Sequence, residues 1–134
     1  MEYCVEASPK TKKYIEALLP AMLEQLKLTR CRRLLSIKVD RDLEHEQGCC
    51  VPLLGLNVIL VVLKPNRNFN ELGVTLAHEL VHVKQMASGR LRQGRNGFIW
   101  NGRRWSRRTP YLNQPWEVQA FSQQEILFRR AIEM

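Results

Sequence analysis

The sequence predicts a single α+β domain, and three observations predict it. Apolar residues recur at helical spacing from Ile15 to Leu26. They alternate with polar ones from Leu35 to Asp40, and a nearly unbroken aliphatic and β-branched run extends from Leu56 to Leu63. At 134 residues with 45% hydrophobic content, the chain is sized for one domain, residues 1–134, that buries most of its surface on folding. Internal repeats and low-complexity segments are absent, so no linker divides it. No run approaches the roughly 20 apolar residues of a membrane span, and Met1 to Lys13 holds no apolar leader. Cys4, Cys31, Cys49 and Cys50 lack the spacing of a disulfide framework, so free thiols in a reducing cytoplasm are expected.

The elements follow in order. Ser8 and Pro9 read as the N-cap and first residue of a helix whose inner face is Ile15, Leu18, Leu19, Met22, Leu23 and Leu26. Pro20 is expected to kink that helix or split it in two. Leu35, Ile37 and Val39 alternate with Ser36, Lys38 and Asp40, the pattern of a half-buried strand. Arg41 to Cys50 reads as a polar loop, and Leu56 to Leu63 as a central strand covered on both faces. Asn70 reads as the N-cap of the next helix, with Phe69 and Val74 as a hydrophobic staple and Gly89 at its C-terminal end. Asn101-Gly102 between β-prone arms from Phe98 to Trp105 predicts a hairpin. Trp100 and Trp105 on it are expected to form a small local core rather than line a cleft. A last helix is expected from Pro115 to about Ile132, with Trp116, Ala120, Leu127 and Ala131 facing inward.

The helix from Val74 to Gln85 carries the chemistry. His78-Glu79-Leu80-Val81-His82 is the pattern H-E-x-x-H, and residues four apart on an α-helix lie one turn apart and roughly 40° around the axis. Two imidazoles so placed can direct nitrogens at one Zn2+ ion, while Glu79 between them can take a proton from water as general base. Apolar neighbours on nearly every side make the histidines costly unless something satisfies them. The third ligand decides the class. Gln85 and Ser88 stand where metzincins carry glycine and histidine, and no histidine follows His82. Glu117 is the only carboxylate between Glu79 and Glu125. A glutamate one helix away from H-E-x-x-H is the gluzincin arrangement, although a first-turn acid favoured by the helix dipole looks the same in sequence. Tyr111, just before that helix, can donate to the oxyanion of a tetrahedral intermediate or simply pack there. His45 lies four residues from Cys49, the spacing of a second metal pair, and is given no role.

His78-Glu79-Leu80-Val81-His82-Val83-Lys84-Gln85, a tryptophan-bearing hairpin, Tyr111, and Pro115-Trp116-Glu117 followed by Ala120 together resemble the small metallopeptidases of tailed bacteriophages, which are similar in turn to minimal gluzincins. The resemblance covers roughly residues 56–125, and the first 50 residues carry no matching motif. It implies a compact zincin-like fold of N-terminal helix, small β-sheet, H-E-x-x-H helix, β-hairpin and glutamate helix. It also implies zinc on His78, His82 and Glu117 with Glu79 as base, and the host cytoplasm as the compartment.

Charge is uneven. Lys84 to Arg108 holds eight cations and no acid, while the remainder balances, so the whole net charge of +8 resides in that segment. Arg103, Arg104, Arg107 and Arg108 are candidate contacts to an acidic protein substrate or a nucleic-acid backbone. The expected function is zinc-dependent hydrolysis of peptide bonds. The alternative is a hydrolytically silent zincin-fold protein whose basic band grips DNA or an acidic host protein, and a DNA-associated protease would use both features.

Overall fold

The computed structural model describes residues 1–43, 46–53 and 55–133. Between β1 (Tyr3–Glu6) and β2 (Leu34–Val39) the chain passes through α1 (Pro9–Gln25), the kind of crossover that parallel pairing requires. β2 pairs in parallel with β4 (Val58–Leu63), and β3 (Gly48–Leu53) lies antiparallel on the far side of β4, giving the order β1-β2-β4-β3. Then follow α2 (Phe69–Ala87), the meander β5 (Leu91–Gly94), β6 (Gly97–Trp100) and β7 (Arg103–Ser106), a 3₁₀ turn at Tyr111–Asn113, and α3 (Pro115–Ile132). The architecture is α+β, as the patterning predicts. No helix among the described residues is long and apolar enough to cross a membrane.

One main core joins the helices to one face of the four-stranded sheet. Register places Leu35 beside Ile59 and Ile37 beside Val61, and these residues are buried with Leu63 against Ile15, Leu19, Met22, Leu76 and Leu80. Val58, Leu60 and Val62 on the opposite face stay partly exposed, so β4 is covered on one side and not on both. α1 begins at Ser8 and Pro9 as predicted but runs unsplit through Pro20. Pro20 and Glu16, whose carbonyl a proline cannot bond, both sit on the exposed side, where water can substitute.

Three strands depart from the sequence reading. Gly48 to Cys50 belong to β3 rather than to a polar loop, and β1 and β5 were not expected. β3 tolerates Pro52 because it is an edge strand. The N-cap of α2 is Asn68, not Asn70: its side chain accepts from the Glu71 amide at 3.2 Å, and its own amide donates to Asn66 Oδ1 at 2.8 Å. Phe69 is therefore the first helical residue and stacks on Tyr14. Gly89, at φ 77°, follows the last turn of α2 as expected. Asn101 and Gly102 both take positive φ, the geometry of a type I′ turn, so the predicted hairpin forms.

Candidate metal centre

A second, smaller core explains where the site's third residue sits. Trp116 is buried among Leu91, Trp100, Phe98 and Trp105, with ring centroids 5.0 Å from Phe98, 6.3 Å from Trp100 and 6.2 Å from Trp105. The hairpin tryptophans thus form a local core, as expected, and that core anchors the first turn of α3. Glu117, the next residue, is carried over α2 by this anchor. His78, Glu79, His82 and Glu117 are 6%, 5%, 5% and 9% exposed.

The geometry brings three predicted ligands together. Glu117 Oε1 lies 3.0 Å from His78 Nε2 and 3.0 Å from His82 Nε2, and the three donor atoms fall within 4.8 Å of one another. The other ring nitrogens are fixed from behind. Gln124 Oε1 sits 2.8 Å from His78 Nδ1, and Gln85 Oε1 sits 2.8 Å from His82 Nδ1. Gln85 Nε2 donates to the Trp116 carbonyl at 3.0 Å and to Gln119 Oε1 at 2.8 Å, which turns its oxygen toward His82. An amide oxygen only accepts, so Nδ1 carries the hydrogen and Nε2 of a neutral ring presents a lone pair. Two nitrogen lone pairs and a carboxylate oxygen then converge on one point, an arrangement that a cation satisfies. Two imidazoles and one carboxylate, buried and this close, suit a divalent metal ion.

Electrostatics agree. Burial raises the Glu117 carboxyl, but the hydrogen bonds from His78 and His82 overcome it and hold it at about 2. Burial lowers His82, and the Glu117 hydrogen bond and charge reverse that to a net rise. Burial lifts Glu79 to about 7 against the opposing pull of His82 and His78.

A cavity of about 650 Å³ opens over the centre. Glu46, Gly48 and Cys49 border it from the β3 side, and Phe98, Phe121 and Tyr111 from the other. Gly48 lets β3 approach Glu79 closely, since a Cβ there would lie 3.2 Å from Glu79 Oε2. Tyr111 lines the cavity with 52% of its surface exposed, and burial of its hydroxyl, together with the nearby Glu117 carboxylate, raises its pKa. Arg103, Arg104, Arg107 and Arg108 are exposed and do not line the cavity, and no lysine or arginine does among the described residues. All four cysteines are free; Cys50 Sγ faces Met86 Sδ at 3.7 Å, and His45 lies outside the described residues.

The sequence reading missed Gln85 and Gln124 as partners of the histidines, and Phe121, whose ring centroid lies 4.6 Å from that of His78. Helical spacing held the signal: Gln85 is three residues after His82, and Gln124 is seven after Glu117, two turns along the same face. No protein-family model, curated protein or solved structure matches this chain.

Proposed function

We propose that this chain is a zinc-dependent metallopeptidase of gluzincin type, a zincin-like domain that hydrolyses peptide bonds in a protein substrate. The single observation that carries the reading is the convergence of His78 Nε2, His82 Nε2 and Glu117 Oε1, with Glu79 buried beside them under an open cavity. A donor set of two imidazole nitrogens and one carboxylate oxygen fits zinc, and the bound ion would supply Lewis-acid polarisation of the scissile carbonyl and of a water molecule. The chain's own residues do the rest. Glu79, with a carboxyl balanced at about 7 in the metal-free protein, accepts a proton on its carboxylate and returns it to the leaving amine. Gln85 and Gln124 hold the two imidazoles so that Nε2, not Nδ1, faces the centre. Tyr111 lines the cavity, and in this reading its hydroxyl donates to the developing oxyanion. Phe98 and Phe121 offer an apolar wall to a substrate side chain.

Glu79→Gln tests the reading, because it preserves shape and removes the base. Zinc content should match wild type while cleavage of a denatured-proteome peptide library falls by roughly 10²–10⁴-fold. Equal cleavage by both proteins, or none by zinc-loaded wild type, would overturn the assignment.

A further inference from the structure

The surplus positive charge and the metal cavity occupy different surfaces. The cavity is bordered by Glu46, Glu79 and Glu117 and by no lysine or arginine among the described residues. Lys84 is on α2, whereas the arginines of residues 90–108 lie on and around the β5-β6-β7 sheet, and strand register sorts those on the strands. Arg92, Ile99 and Arg104 are direct neighbours across the three strands and therefore share one face. Leu91, Phe98, Trp100 and Trp105 occupy the other face, turned onto Trp116. Arg95 sits at the β5–β6 turn and Arg108 just after β7, and all four of these arginines are exposed. Arg90 and Arg107 are engaged locally, Arg90 stacked 4.7 Å over Trp100 and Arg107 donating to the Arg95 carbonyl at 3.0 Å. Arg103 falls in register with Trp100, on the inner side.

Among the described residues, no carboxylate comes within ion-pair distance of Arg92, Arg95, Arg104 or Arg108. Like charges two strands apart, roughly 10 Å, repel one another with no countercharge paired to them among the described residues. From this arrangement we propose that the outer face of the three-stranded sheet binds the phosphate backbone of duplex DNA without reading its sequence. A single strand fits less well, because sequence-tolerant single-strand binding uses exposed aromatics as stacking platforms. The aromatics of this sheet are spent on Trp116, and the outer face offers Ile99 alone between arginines. This assignment does not depend on the metallopeptidase reading.

The test is fluorescence anisotropy of the zinc-loaded full chain with a labelled duplex of about two helical turns, at roughly 50 to 200 mM salt. Four phosphate contacts give a slope of log affinity against log salt near −3.6, so affinity should fall by about two orders of magnitude over that range. Combined Arg92→Gln, Arg95→Gln, Arg104→Gln and Arg108→Gln should weaken binding at least about tenfold at low salt and flatten the slope, with zinc content unchanged. Lys10→Gln, Lys12→Gln and Lys13→Gln together, on the exposed start of α1, should leave binding near wild type. The proposal is overturned by wild type that does not bind the duplex, by a quadruple variant that binds as well as wild type, or by equal weakening in the α1 variant. A preference for single strands would overturn it in favour of stacking, and a preference for poly-glutamate in favour of an acidic protein partner.

Discussion

Gln85→Leu separates the orientation of a ligand from the packing of the helix that carries it. Gln85 is 1% exposed and makes three hydrogen bonds: it accepts from His82 Nδ1 and donates to the Trp116 carbonyl and to Gln119 Oε1. Leucine nearly fills the same volume, so the loss is polar rather than a cavity. Leaving the buried imidazole N–H without a partner costs about 1–3 kcal/mol, and losing the link from α2 to α3 about another 1 kcal/mol. Trp116 immediately precedes Glu117, so that link also sets the distance between His82 and the third ligand. Loss of such an orienting partner typically lowers metal affinity 10–100-fold. Urea denaturation reads the first quantity, and competition with a chromophoric zinc chelator reads the second. Gln85→Glu keeps the acceptor for His82 and drops both donors, so its stability should fall while its zinc affinity falls less than that of Gln85→Leu. Wild-type zinc affinity in Gln85→Leu would refute the role given to this residue.

Two further substitutions test neighbouring parts of the account. At an open helical position Gly73→Ala would gain about 1 kcal/mol, but here the new Cβ would stand 2.2 Å from Phe128 Cε1 and 2.8 Å from the Tyr14 hydroxyl. The variant should lose about 1–3 kcal/mol by urea denaturation, and Phe128→Leu added to it should restore part of the loss; a stabilised Gly73→Ala would contradict the α2–α3 packing. In the metal-free protein, folding raises the Glu79 carboxyl from 4.5 to about 7. The stability this residue contributes is therefore present below pH 4.5 and lost as pH rises through about 7, a total of about 3 kcal/mol at 1.36 kcal/mol per unit. With chelator present, Glu79→Gln should become progressively more stable than wild type as pH rises from about 5 to 8. Parallel pH profiles for the two proteins would show that the carboxyl is not desolvated.

The parts legible in the sequence were those with strong periodicity or a fixed chemical spacing. α1, α3 and the Asn101-Gly102 hairpin carry capping prolines, apolar stripes and a turn that demands positive φ. β1 and β5 are four residues each, with Leu91 the only buried residue between them, too short for alternation to stand out. β3 combines Gly48 and Pro52, both of which argue against a strand until its edge position is known. Asn68 and Asn70 are equally good caps locally, and the choice falls to Asn66, whose side chain receives the Asn68 amide. At the site, His78, His82 and Glu117 announce themselves by type and spacing, whereas Gln85 and Gln124 have no metal-binding chemistry of their own. Gln85 lies one turn after His82 on the same helix, while the contact of Gln124 with His78 depends on where α3 crosses α2. The arginines show the converse: their sum was plain in the sequence, but strand register was needed to separate Arg104 from Arg103.

The most direct measurement is zinc K-edge X-ray absorption on protein loaded with one equivalent of zinc. Two imidazole nitrogens and carboxylate or water oxygens at about 2.0–2.2 Å, with no sulfur, are expected, and the Cys50 thiol is held protonated by burial. Glu117→Ala should alter that spectrum and weaken binding. A sulfur shell near 2.3 Å, which would place Cys49 or Cys50 on the metal, or a spectrum unchanged by Glu117→Ala, would contradict the two-histidine, one-glutamate centre.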